Sequence, residues 1–309
     1  MISVLIPIYN FNVAKLVKDL HAQLTYANVE FEIILGDDAS TETHGNEKLI
    51  NLQGVTYFFL PENIGRAKMR NLLVEKANFP YLLLMDCDAA VLYSTYINNY
   101  ILEISRNSKP VCIIGGVAYR TLKPNPKYYL RWQYGKKREA TDADQRNRKP
   151  YKSFTSFNAV FSKSIFETVK FDESFSTYGN EDTFFGNQLR NANIPVIHIN
   201  NPLYHDGLDT NEDYLKKVET SIDNLIALLN ANKIDSGFIN ENRLLATYFR
   251  LRKLQKIPLL RLYYKKHLQK IKLKILKKPS VFWLDLYKLG YLVQNANNYK
   301  YLLIISNKR

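Results

Sequence analysis

Cysteine is nearly absent from this 309-residue chain: only Cys87 and Cys112 occur, and they lack metal-ligand spacing. Two cysteines are too few for a disulfide-stapled scaffold, and the pattern agrees with a reducing cytoplasm. No apolar run approaches the roughly 18 residues that a membrane-spanning helix needs. The opening "MISVLIPIYN" has neither a charged leader nor a cleavage site and is expected to enter a strand rather than direct export. The segment that follows, "PIYNFN", contains no glycine, so the first strand is not followed by a glycine-rich phosphate loop. Acidic residues are scarce in one region only. Residues 1–242 hold 26 Lys+Arg against 28 Asp+Glu, whereas residues 243–309 hold 17 against Asp285 alone. The net charge of +14 therefore belongs to the C-terminal segment. A near-neutral body joined to a cationic tail points to docking on an anionic surface, separate from the work of the main domain.

What is present suits a globular chain, with 46% hydrophobic residues to build a sizeable core. The first ninety residues alternate strand-like and helix-like runs. "ISVLIPIYN", "FEIILGDD", "VTYFFLPEN" and "YLLLMDCD" read as strands. "VAKLVKDLHAQL", with Val13, Leu16, Val17 and Leu20 at helical spacing, and "GRAKMRNLLVEKA" read as helices. This alternation predicts an α/β fold with a mixed, mostly parallel sheet flanked by helices. "VCIIGGVAY" is expected to be one more buried strand, and the Lys/Arg/Tyr/Pro-rich stretch after it a functional or mobile loop. "SFNAVFSKSIFETV" reads as a strand entering a helix, "NEDTFFGNQLRNAN" as a helix, and "PVIHINNPLYHDG" as a strand leading to a loop. A long helix is expected over 211–230.

Ligands of parallel sheets bind at the carboxyl ends of strands, where "DD" at 37–38 and "DCD" at 86–88 both fall. Strand alternation would turn Asp86 and Asp88 to one face and Cys87 to the other. Two adjacent like charges call for a cation between them, and a hard divalent ion is the usual one. Solvated carboxylates at a strand end are the alternative. Asp37 and Asp38 also suit an Asx turn or helix cap. Arg66, Lys68 and Arg70 oppose the dipole at the start of their helix, which points to a nearby anion, a solvated basic face being the alternative. Glu181 and Asp182 fall in a first helical turn, where carboxylates are favoured in any case.

Taken in order, "SVLIPIYN", "GDDAS", the N-x-G-x-A-x-x-R-N pattern from Asn63 to Asn71, "MDCDAAV" and "FDESFSTYGNEDTFFGNQL" resemble the family-2 glycosyltransferases with a GT-A fold, over residues 1–210. "YGNED" is most similar to the "WGGED" of the chondroitin-polymerase and galactosyltransferase-type branch, with Tyr178 and Asn180 departing from it. The resemblance implies that Asp88 ligates a divalent metal, Mn²⁺ or Mg²⁺, on the donor diphosphate. It implies Asp86 on the ribose or on the metal through water, and Pro7, Tyr9, Asp38, Asn63 and Arg70 around the nucleotide. It makes Asp182 the base that takes the acceptor proton and Glu181 the residue that orients a sugar. His205 matches a histidine that completes the metal site, whereas His198, inside a strand, reads as structural.

The domains expected are a GT-A unit over 1–240 and a basic helical tail over 241–309. In the tail Leu260, Tyr264, Leu268, Ile271 and Ile275 share one arc of a helix, with the lysines outside it. Phe282, Trp283, Tyr287 and Tyr291 follow. This pattern predicts peripheral contact with an anionic membrane, the alternative being a stripe packed inward. The combined expectation is an inverting, metal-dependent transferase at the inner face of a bacterial membrane. It would move a sugar from a nucleotide-sugar, expected to be a UDP-sugar, to a glycan or lipid-linked acceptor in surface-polysaccharide synthesis. A sugar-phosphate nucleotidyltransferase is disfavoured by the missing phosphate loop. A nucleic-acid-binding protein is disfavoured because no helix-turn-helix, zinc-finger or RNP pattern accompanies the tail.

Overall fold

The structure, a computed structural model, describes residues 1–175 and 179–296. Tyr178 and the last thirteen positions of the tail lie outside the described residues. The chain forms two compact units. The first holds most of residues 1–208, and the second holds Lys123–Tyr134 and the chain from Asp209 onward.

The first unit is built on a seven-stranded sheet in the order β3-β2-β1-β4-β8-β6-β9. β1 (Ile2–Ile8) lies between β2 (Phe31–Asp37) and β4 (Tyr81–Met85), parallel to both, and β3 (Val55–Phe59) continues the parallel set. A strand covered on both faces needs apolar side chains at odd and even positions, which explains the unbroken "SVLI" and "YLLLM" runs. Val4, Ile6, Ile33 and Leu35 belong to one core. Leu5, Ile34, Leu82 and Leu84 belong to the other, as a period of two requires. α1 (Ala14–Tyr26) buries Leu16, Val17, Leu20 and Leu24, and α2 (Arg66–Lys76) buries Ala67, Met69, Arg70 and Leu73. β8 (Asn158–Ser162) runs antiparallel between β4 and β6 (Cys112–Ile114). β9 (Val196–His198) closes that edge parallel to β6.

Several sequence expectations change. β4 stops at Met85, so Asp86 to Asp88 form a turn and strand alternation does not set their directions. The run "VCIIGGVAY" breaks at its glycines into β6 and β7 (Val117–Ala118) of a second, three-stranded sheet, ordered β5-β10-β7. The other two strands of that sheet are β5 (Ala89–Ala90) and β10 (Leu203–His205), the latter inside the stretch expected to be a loop. The basic stretch after Tyr119 is mostly helical, with α4 (Tyr129–Arg138) and α5 (Ala143–Asn147), the latter capped by Asp142. A 3-10 turn, Lys163–Glu167, replaces the helix expected after β8. α3 (Tyr96–Ser105) and α6 (Glu181–Asn191) complete this unit.

The second unit is helical. α7 (Asn211–Asn230) occupies the expected span and starts at a Thr210 cap. It belongs to this unit, which thus begins well before residue 240. α8 (Ser236–Glu241), α9 (Arg243–Lys253), α10 (Ile257–Lys277) and α11 (Val281–Asn295) follow. The apolar arc of α10 turns inward: Tyr264, Ile271 and Ile275 are buried, Leu260 and Leu268 half-buried. α10 packs on α11, whose Leu284, Tyr287, Leu292 and Val293 are also buried. Tyr287 donates its hydroxyl to Glu219, and Lys274 stands 3.8 Å over the Trp283 ring. Of the four aromatics expected at a lipid surface only Phe282, at 64%, is largely exposed. An arc that large stabilises more by packing on a neighbouring helix than by waiting for lipid, so the inward alternative holds. No helix among the described residues is long and apolar enough to cross a membrane.

The break at Gly115 is where β6 leaves the main sheet. A Cβ there would collide with the Asn201 carbonyl, the Tyr100 hydroxyl and the Asn158 amide. Gly115→Ala is expected to cost about 1–3 kcal/mol, the range for overpacking a closed site, read as a lower urea midpoint at unchanged slope.

Candidate active site

Parallel register carries the ends of β1 to β4 to one edge. Ile8 stands opposite Asp37, and Asp37 opposite Phe59. Tyr9 follows β1 there and is 50% exposed, while Pro7 is half-buried beside Gly36. Asp37 is fully buried and accepts from the Ser40 N–H at 2.8 Å and the Tyr57 hydroxyl at 2.8 Å, a structural turn. Asp38 accepts from the Ile64 and Gly65 N–H groups at 2.7 and 3.0 Å, and Asn63 donates to the Asp38 carbonyl at 2.9 Å. Together these bonds hold the approach to α2. Burial raises the Asp38 carboxyl, and those two N–H groups work against the rise. Asn71 clamps Phe171 by its N–H and carbonyl, and also reaches Glu173.

α2 then presents Arg70, which is 1% exposed, to the acidic residues. Its guanidinium donates to Asp86 at 2.8 Å and to Asp182 at 3.4 Å, stands 3.8 Å from Glu181, and lies over the Phe171 ring. Arg66 also meets Glu181, at 3.2 Å. The anions that offset two arginines at a helix start are thus the chain's own carboxylates, Glu181 and Asp182 brought from more than a hundred residues away and Asp86 from the end of β4. Arg70, expected around the nucleotide, is surrounded by the counter-charge that a buried guanidinium needs within hydrogen-bond reach. Asp86, expected on the ribose or on the metal through water, accepts from Arg70.

Asp88 has a different neighbour. Its Oδ2 lies 3.6 Å from the His205 Nε2, and Asp206 donates its N–H to the Asp88 carbonyl at 3.0 Å. The antiparallel pairing of Ala89 with His205 sets this approach. The imidazole is stacked between Tyr119, at 5.6 Å, and Phe157, at 5.3 Å. Gly207 lies against the Asp88 carboxylate, where a Cβ would collide with it. Two ligand atoms bonded to one cation at about 2.1 Å stand roughly 3–3.6 Å apart, so this pair fits a single ion. Carboxylate with imidazole is a donor set that suits Mn²⁺. Among the described residues no three His, Cys, Asp or Glu side chains form a complete metal cage. His198, buried in β9, bonds to the Pro150 carbonyl, and burial lowers its pKa to about 4, in keeping with a structural role.

Asp182 is held by residues that carried no signal in the sequence. Ser156, fully buried ahead of β8, donates its hydroxyl to Oδ1 at 2.6 Å and its N–H to Oδ2 at 3.0 Å, and the Thr155 hydroxyl donates at 3.2 Å. Burial pushes both Asp86 and Asp182 up. At Asp86 the Arg70 and Arg66 charges outweigh burial and hold the carboxyl below the usual range. At Asp182 Glu181 and Asp86 add to burial, so the carboxyl stays above the ordinary 3.8 despite Arg70 and Ser156. Arg70 thus stands between two carboxylates whose surroundings push them in opposite directions. Burial also pushes the Cys87 thiol up to about 12, so it is not a nucleophile.

The acidic residues gather at the strand ends of the mixed sheet, where ligands of such sheets bind. The sequence matches the glycosyl transferase family 2 profile over residues 3–170, and the chain belongs to that family. Its fold is the GT-A fold. No curated protein matches the sequence. Among solved structures the fold is similar to the 1–349 fragment of S. aureus TarS in complex with UDP, at 15% identity and a TM-score of 0.53 over 96% of this chain and 88% of that one. It is also similar to the mannosyltransferase PcManGT from Pyrobaculum calidifontis in complex with GDP-Man and Mn²⁺, at 13% identity and a TM-score of 0.55 over 95% and 86%. A longer TarS chain is covered over only 39% of its length.

The hydroxyl of Ser156 favours ionised Asp182. Ser156→Ala is therefore expected to move the acid limb of the kcat/KM profile for sugar transfer to higher pH. Turnover at neutral pH should fall about tenfold, the weight of one hydrogen bond to a charged group. A limb that stays in place would show that Asp182 is not the titrating group.

Proposed function

We propose that this chain is an inverting, metal-dependent glycosyltransferase of the chondroitin-polymerase and galactosyltransferase-type branch. Its donor is a UDP-sugar and its acceptor a hydroxyl of a glycan or lipid-linked saccharide, in bacterial surface-polysaccharide synthesis at the inner face of the membrane. The observation that carries the reading is Asp182, raised in basicity and held by Ser156 and Arg70 beside ionised Asp86. UDP in the TarS complex supports a uridine donor, while GDP-Man in PcManGT keeps the nucleotide a matter for experiment.

The residues divide the work. Tyr9 offers an exposed ring for a base to stack on, with Pro7 beneath, and Asp38 and Asn63 shape the neighbouring wall. Asp88 and His205 would hold the divalent cation, which when bound neutralises charge on the departing diphosphate. Asp182 takes the proton of the acceptor hydroxyl as that oxygen bonds to the anomeric carbon and the bond to the diphosphate breaks. Glu181, tied to Arg66, orients a sugar near this point. One displacement with one base inverts the anomeric centre.

Asp182→Asn is expected to keep donor affinity and lower kcat about 10²–10⁴-fold, because the lost contact acts on the moving proton. Loss of donor binding with turnover retained would reassign the residue. An α-linked product from an α-linked donor would overturn inversion. Asp88→Ala is expected to remove the Mn²⁺ dependence of donor binding measured by calorimetry, with the unfolding midpoint unchanged. Metal-enhanced affinity surviving in that variant would take Asp88 out of the site.

A further inference from the structure

With the apolar arc of α10 packed inward, the cationic second unit shows a different exposed apolar feature. Leu254, Leu259, Leu262 and Tyr263 are 56, 71, 58 and 51% exposed, and all four fall at the α9–α10 corner. Elsewhere in the described part of the second unit only Leu273 and Phe282 are large, apolar and this exposed. A cavity of about 670 Å³ opens at the same corner, and its wall includes Arg252, Arg261, Lys265, Leu262 and Tyr248. Among the described residues that line it none is a carboxylate. Arg261 donates to the Val293 and Ala296 carbonyls, so its guanidinium stays at the wall with only carbonyl oxygens and no carboxylate among these bonds. Lys253 ends α9 and Lys256 lies in the connecting turn, where Gln255 takes a left-handed backbone.

We propose that the α9–α10 corner docks on an anionic lipid leaflet. Leu254, Leu259 and Leu262 would enter the acyl boundary while the cationic cavity takes a lipid phosphate. Charge complementarity selects this occupant. A protein partner would want paired carboxylates or a dry apolar face, whereas this corner offers exposed leucines ringed by Lys and Arg, with one acidic residue, Asp285, between 243 and 309. Apolar insertion beside basic residues is the physics of interfacial binding. The inference rests on the membrane-side reading above, and sugar transfer to a soluble acceptor separates failure of one from failure of the other.

The test is sedimentation of the full chain with phosphatidylglycerol-containing vesicles and with pure phosphatidylcholine vesicles. Wild type is expected to bind the first and not the second. Each lysine near an anionic surface is worth about fivefold in partition, so Lys256→Glu with Lys265→Glu should weaken binding about 25-fold or more. Leu259→Ser with Leu262→Ser should weaken binding at high salt, where apolar insertion persists and charge is screened. Lys109→Glu, in the first unit, should change little. All these side chains are exposed, so the unfolding midpoint should hold in each variant. The proposal fails if wild type ignores anionic vesicles, or if Lys109→Glu costs as much as the corner substitutions. It also fails if the leucine pair has no effect at high salt, if RNA displaces the protein as readily as vesicles bind it, or if the leucine substitutions convert a dimer to a monomer in light scattering.

Discussion

The Arg70 guanidinium is the constraint around which the active site is arranged. It sits 1% exposed on the first turns of α2 and is bonded to Asp86 at the end of β4 and to Asp182 at the start of α6, with Glu181 close by. A cation buried to that degree is destabilising by several kcal/mol unless carboxylates surround it, and the carboxylates are destabilising without it. Neither partner is stable there alone, so the three segments are driven to meet. Asn71, one position along the same helix, clamps Phe171 and reaches Glu173, keeping the chain ahead of α6 in place. Arg66 adds a second tie to Glu181. The arrangement of the site therefore follows from satisfying buried charge.

That geometry gives four carboxylates four environments. Asp37 is a turn residue, Asp38 a clasp on the approach to α2, Asp86 the counter-ion of Arg70, and Asp182 a carboxylate cradled by Ser156. Burial raises both Asp86 and Asp182, and what separates them is the second arginine: Arg66 helps to hold Asp86 ionised, while Glu181 and Asp86 push Asp182 the other way. Asp88 stands apart with His205, whose ring is stacked between Phe157 and Tyr119. The His205 charge also acts on Asp86, so the two groups belong to one electrostatic site.

The helical unit follows a different logic. Its cohesion comes from α10 against α11, with Lys272 and Tyr287 both meeting Glu219 of α7. Its charge stays outside, and so do the leucines of the α9–α10 corner. A helix can carry one apolar arc for packing and separate exposed apolar residues for another surface. In α10 the two are told apart only by which side the neighbouring helix covers.

Local pattern was enough for the parallel strands, the long helices and the family. Val13, Leu16, Val17 and Leu20 were spaced for a helix that packs on a sheet, and the run over 211–230 became α7 as spaced. The parallel strands were legible because a strand buried on both faces cannot hide its composition, and the order of the acidic motifs named the class. Contacts between distant segments were not legible. Nothing in "YKSFTSFNAV" marks Ser156 as the partner of Asp182. That pairing exists because β8 runs antiparallel to β4 and brings residue 156 to the end of the strand from which Asp86 emerges. The fate of "VCIIGGVAY" turned on Gly115 meeting the Asn201 carbonyl, and the direction of the α10 stripe turned on α11. Periodicity says that a face must be buried, since a single chain segment contains it. It cannot say by what, because the partner is supplied by a segment far away in the chain.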